Sequence, residues 1–257
     1  MSKKPRGYAF VWSNTKFPDQ PRLKDRTGGD VDLINISELL KGLSFQTDVV
    51  EEKNATEIKD EVRRFTNRDD HRSAECSVVV LMSHGEEGHI CGTDGQLVAL
   101  EDIFAMFDEH ICLLLKGKPK LFFIQACRGE KVYKDEADGI AETTELDLMG
   151  ELRRLLRQPS QVQDLEVDSA QAVQRPHVFC GYSTKPGYVA FRNTEDGSWF
   201  IQDITSVFMK NAKEKSLDEM MTEVKEKVLT RKTALGGKEE AESLSLLQKD
   251  LYFFPGQ

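Results

Sequence analysis

Three short apolar runs of strand length punctuate the chain, "GYAFVWS" at Gly7 to Ser13, "CSVVVLM" at Cys76 to Met82 and "KLFFIQA" at Lys120 to Ala126, with helically spaced segments between them. A run such as "CSVVVLM", without polar alternation, suits a strand buried on both faces, which needs layers above and below it. Strands that alternate with helices imply parallel βαβ units, since two parallel strands need a crossover connection. The spacing predicts a helix over Asp30 to Leu43, with Asp30 as N-cap and Val31, Ile34, Leu39, Leu40 and Leu43 as its apolar residues. It predicts a strand at Phe45 to Val50 and a helix at Asn54 to Asn67 whose face carries Ile58, Val62 and Phe65. "HICGTDGQLVAL" reads as a hairpin turning at Asp94-Gly95, followed by a helix over Glu101 to Leu115.

Between Glu130 and Arg175 the chain turns polar and charged, with one brief amphipathic piece at "LMGELRRLL", as expected of an exposed linker. Order resumes with "HVFCGYS", two helices (Trp199 to Lys213, Ser216 to Thr230) and a last strand, "DLYFF". The pairs Phe208-Met209 and Met220-Met221 fall on those helices as core residues.

With 39% hydrophobic and 31% charged residues, 257 residues can bury one sizeable core. A net charge of −9 argues against nucleic acid or an anionic membrane as the main partner. No apolar stretch approaches the roughly 20 residues that cross a bilayer, and "MSKKPRGYAFVWSN" lacks the apolar length of a secretory signal. The five cysteines (Cys76, Cys91, Cys112, Cys127, Cys180) are odd in number and scattered, so a reducing, cytoplasmic setting is expected rather than a disulfide framework.

In an open α/β sheet, ligands sit beyond the carboxyl ends of the strands. Two loops qualify: Ser83-His84-Gly85-Glu86-Glu87 after "CSVVVLM", and the segment that begins with Cys127. A thiol attacks well only as thiolate, and a nearby imidazole can take its proton and later protonate a leaving amine. His89/Cys91 and His110/Cys112 repeat an H-x-C spacing, but without a C-x-x-C pair no metal site and no cofactor are expected.

"QACRG" at Gln125 to Gly129 resembles the nucleophile motif of the caspases. The chain is similar to that family also in "RTGGDVD" from Arg26, "SHGEEG" from Ser83, "GYSTKPGYVAFRN", "GSWFIQ" and the closing "KDLYFF", in family order over nearly its whole length. The resemblance implies a three-layer α/β/α sandwich on a mostly parallel six-stranded sheet. It implies a large (p20-like) region at residues 1–137, an intersubunit linker at 138–174 and a small (p10-like) region at 175–257, together one caspase domain. It further implies an endopeptidase cutting after aspartate, with Cys127 as nucleophile, His84 as general acid/base, and the backbone N–H groups of Gly85 and Cys127 as oxyanion donors. Arg26, Gln125 and Arg192 would line the first specificity pocket, two planar permanent cations suited to a carboxylate. Val189 and Phe191 match the apolar second pocket, and Asn193 and Trp199 positions near the fourth. The family is made as a zymogen, and the linker offers Asp138 and Asp168 as processing sites, with Asp147 a poorer one. A long prodomain is not expected, which points to an executioner-like member or a shortened initiator. Protein substrates, an upstream caspase, inhibitor proteins and a second copy of the chain, paired through "DLYFF", are the partners implied in apoptosis-type signalling. Two alternatives are an inactive homologue acting as decoy or scaffold, disfavoured because Cys127 and His84 are both kept, and a protease cutting after Arg or Lys, disfavoured by the paired arginines.

Overall fold

The computed structural model describes residues 4–133 and 175–255. Its central sheet has six strands: β1 (Gly7–Ser13), β2 (Phe45–Glu51), β3 (Cys76–Met82), β4 (Lys120–Gln125), β5 (Val178–Tyr182) and β6 (Glu242–Ser245). They lie in the order β6-β5-β4-β3-β1-β2, all parallel except β6, which runs antiparallel to β5.

The two-residue period of a strand sends successive side chains of β3 to opposite faces. Val78, Val80 and Met82 pack into one core with α1 (Gly29–Gly42) and two later helices, while Val79 and Leu81 pack into the other with α2 (Ala55–Thr66) and α3 (Leu100–Ala105). The later helices are α4 (Trp199–Asn211) and α5 (Leu217–Thr230), which contribute Phe200, Ile204, Met220 and Val224. Helices on both faces of a mainly parallel sheet give the three-layer sandwich expected. α2 starts where the sequence indicates, at Asn54, whose side chain accepts the N–H groups of Thr56 and Glu57 while Glu57 returns a bond to its backbone. α5 repeats the device with Ser216 and Glu219.

The structure departs from expectation in five places. α1 is preceded by Gly28 in the left-handed region (φ 85°), so Asp30 lies in the first turn and is not the N-cap; Ile34 is 62% exposed, and Asp32 and Ile36 face inward instead. The helix expected to run to Leu115 stops at Ala105 and gives way to turns, because Asp108 and Glu109 are drawn to Arg175 and to the Gly117 N–H. Met209 is 71% exposed, unlike Phe208, Met220 and Met221. The start of the expected linker is ordered, with Gly129–Lys131 pairing in parallel with Gly187–Tyr188. "DLYFF" is not a strand: Leu251 and Phe253 plug the core, the Leu251 carbonyl accepts the Leu217 N–H, and the Phe254 N–H donates to Ala212. The sheet ends instead at β6, a polar strand with Leu244 half-exposed. Asp138, Asp147 and Asp168, and the linker 138–174 itself, lie outside the described residues.

His71 gives the fold an acid limit. It is fully buried, edge-on to the rings of Tyr8 and Phe65, with Nε2 donating to the Phe65 carbonyl at 2.8 Å. Burial holds its pKa down at about 4 against an ordinary 6.5, with Arg68 and Lys118 acting in the same sense. A base that binds its proton less readily when folded loses stability as pH falls through that window. Urea unfolding from pH 6.5 to pH 4 is expected to show a decline of about 3 kcal/mol attributable to this group. His71→Phe should flatten that decline while costing about 1 kcal/mol at neutral pH for the lost hydrogen bond; an unchanged slope would show that other groups set the acid limit.

Candidate active site

β3 and β4 are adjacent and in register, Met82 opposite Gln125, and the Ser83 N–H donates to the Gln125 carbonyl at 3.2 Å. His84 and Cys127 each lie two residues further on, so both leave the same edge of the sheet. The His84 loop is pinned from behind: the Cys91 N–H donates to the His84 carbonyl (2.8 Å) and the Ser83 hydroxyl to the Cys91 carbonyl (2.6 Å). Gly85 lies against the segment that carries the nucleophile. A Cβ there would stand 2.7 Å from the His89 carbonyl oxygen, 2.9 Å from the Ala126 Cβ and 3.2 Å from the Cys127 carbonyl oxygen, so only glycine allows this approach.

The His84 ring packs on Phe17 with centroids 4.7 Å apart, and Nε2 donates to the Lys24 carbonyl at 2.7 Å. A proton on Nε2 makes Nδ1 the nitrogen able to accept one from a thiol. Sequence reasoning missed Lys24 because a backbone carbonyl carries no residue signature.

Cys127 is half-buried, and its sulfur receives the Ala190 N–H at 3.5 Å. Burial pushes the thiol's pKa up, with Glu239 adding to that, while the Ala190 N–H, Arg192 and Arg26 pull it down. The chain after it is held by the opposite loop, where the Tyr188 carbonyl accepts the Arg128 N–H (2.9 Å), and by β6, where Glu242 accepts the Arg128 guanidinium (2.6 Å).

The structure brings both predicted arginines to this thiol. Arg26 is 1% exposed, with Nη1 donating to the Asn14 carbonyl at 2.9 Å. Burial first, and Arg192 second, lower its pKa to about 10, which records two guanidiniums held against each other. Arg192, half-buried, donates Nε to the Thr27 carbonyl at 2.9 Å. Gln125 is buried, and its side-chain oxygen makes no hydrogen bond. Two cations and an amide without a full set of partners, beside a thiol, form a receptor for a carboxylate.

Val189, Phe191 and Asn193 flank this pair on one segment. Val189 is buried, its N–H donating to the Lys131 carbonyl; Phe191 packs on Trp199 (centroids 4.9 Å), whose N–H donates to the Phe191 carbonyl. Asn193 is exposed, and its side-chain oxygen accepts the Glu195 and Asp196 N–H groups, closing its own turn. Behind the segment stands Glu239, fully buried, which accepts the Phe191 N–H; burial raises its pKa well above the carboxylate range. Nothing in the run "GGKEE" distinguishes Glu239 from Glu240 beside it, which is only half-buried and pairs with Lys185. Among the described residues no group of three or more His, Cys, Asp or Glu is placed to hold a metal ion.

Fold and site together define a cysteine-type endopeptidase. The chain belongs to the caspase family: the Caspase domain (Peptidase_C14) matches residues 6–252. It is 35% identical to caspase-2 of Gallus gallus over 100% of this chain and 60% of that protein's length. It is 34% identical to caspase-3 of Mus musculus over 96% of this chain and 84% of that one. Among solved structures, caspase-1 from Spodoptera frugiperda superposes with a TM-score of 0.80 at 29% identity, covering 99% of this chain and 92% of that one.

Proposed function

We propose that this chain hydrolyses peptide bonds after aspartate in apoptosis-type proteolytic signalling. The observation that carries the reading is the placement of Arg26 and Arg192, one buried and one half-buried, within electrostatic reach of the Cys127 sulfur. His84 takes the thiol proton, and the thiolate attacks the carbonyl carbon after the bound aspartate. The N–H groups of Gly85 and Cys127 donate to the oxyanion, whose stabilisation contributes about 3 kcal/mol per donor. His84 then protonates the leaving amine, and water releases the acyl group from sulfur. The reading extends to a cytoplasmic zymogen cut at Asp138 and Asp168, acted on by an upstream caspase and by inhibitor proteins. It also extends to a homodimer, for which β6, as a sheet edge, offers unpaired backbone groups.

The test is a fluorogenic tetrapeptide panel varying only the residue before the scissile bond, with Cys127→Ala as the blank. Asp is expected to exceed Asn and Arg by about a thousandfold in kcat/KM. Equal rates for Asp and Asn, or preference for Arg, would sink the pocket assignment. An Asp138→Ala, Asp168→Ala chain that stays intact yet matches the wild type would sink the zymogen reading.

A further inference from the structure

Asp32 lies fully buried on the inner face of α1, where a helix of this kind ordinarily buries an apolar side chain. Both its oxygens are taken by one distant residue: Oδ1 accepts the Ser198 N–H at 2.6 Å and Oδ2 the Ser198 hydroxyl at 2.5 Å. Ser198 precedes α4 at the position where a serine side chain usually caps the first turn, yet it makes no capping bond and donates to Asp32 instead.

The Arg26 Nη2 is 3.9 Å from Asp32 Oδ2, beyond hydrogen-bond distance, and although buried it makes no hydrogen bond. The flanking backbone leaves no slack. Gly28 and Gly197 are both in the left-handed region (φ 85° and 87°), and a Cβ would stand 2.4 Å from the Asn193 carbonyl oxygen at the first and 2.4 Å from Asp32 Oδ1 at the second. Arg192 is tied across the same junction through Thr27. A carboxylate this close to a guanidinium, if free to turn, would close on it through charge-assisted bonds and occupy the donors that a substrate carboxylate requires.

We propose that the Ser198–Asp32 clasp sets the affinity of the first pocket. Ser198 holds Asp32 where it offsets the charge of Arg26 without taking its hydrogens, which leaves Nη2 for the aspartate side chain of the substrate. Asp32 and Ser198 are thus positioning residues, and the inference rests on the aspartate-directed reading above.

Ser198→Ala releases one oxygen of Asp32 to close on Arg26. KM for an Asp tetrapeptide is expected to rise about tenfold, with kcat, normalised by active-site titration, changing less than about twofold. In an Asp32→Asn background the anionic competitor is gone, so the same replacement should change KM less than about twofold. Ser198→Thr, which keeps the hydroxyl, should restore most of the affinity. A second readout needs no turnover: the dissociation constant of a tetrapeptide ending in Asp, measured by calorimetry on Cys127→Ala with and without Ser198→Ala, should differ about tenfold. Equal dissociation constants, or a loss confined to kcat, would overturn the inference. A wild-type chain that hydrolyses no Asp peptide, alongside that tenfold difference, would overturn the proposed activity and leave the clasp standing.

Discussion

Arg26→Ala is expected to lower kcat/KM for Asp peptides by about a thousandfold to ten-thousandfold, measured by steady-state kinetics on titrated active sites. The guanidinium is buried and tied through Nη1 to the fixed Asn14 carbonyl, so it is oriented before substrate arrives. Its removal leaves Arg192 as the remaining cation of the pair, its charge partly offset by the field of the buried Asp32 carboxylate. A substrate carboxylate entering that site gives up its water for half of its former partners, which is why the penalty exceeds that of an ordinary hydrogen bond. Arg26→Lys should recover little, because an ammonium is a point donor that cannot reproduce a planar fork. A loss below about tenfold would mean that Arg192 and Gln125 suffice, and that Arg26 is buried for packing alone.

Gly85→Ala should lower kcat by about a hundredfold to a thousandfold with KM changed less than about threefold. The added methyl has no space: its nearest neighbours are a carbonyl oxygen and a Cβ, both under 3.0 Å. The loop must shift against both the His89 carbonyl and Ala126 to make room, which moves the Gly85 N–H from its place beside the developing oxyanion while the specificity pocket stays in place. The same strain should lower Tm by a few degrees, since about 1 kcal/mol corresponds to roughly 2–4 °C in a chain of this size. A variant with normal kcat would remove Gly85 from the oxyanion hole.

Both variants concern residues legible in the sequence, and the reason is physical. Arg26, His84, Gly85 and Cys127 act through side chains, or through the lack of one, next to strands whose apolar runs fix where the sheet edge lies. The strands read well for the same reason: β1, β3 and β4 are buried throughout, so composition alone marks them. Lys24 was illegible because it acts through a backbone carbonyl, and Asp32, Ser198 and Glu239 because their burial is invisible in sequence. The errors in the fold follow the same division. "DLYFF" does alternate, Leu251 and Phe253 inward, but its backbone partners are helix ends rather than another strand. β6 was hidden by its polarity, since an edge strand facing solvent needs no apolar run. The helix beginning at Leu100 ends early where Glu109 accepts the Gly117 N–H and Asp108 pairs with Arg175, tertiary demands that local spacing does not encode.

That last contact, with the parallel ladder joining Lys120 through Ile124 to Val178 through Tyr182, has a mechanical consequence. A chain severed anywhere between residues 133 and 175 would have its halves zipped along one shared seam and riveted at Arg175. The fragments would sediment as a single particle, so a nick in that interval would leave intact the body that carries Cys127.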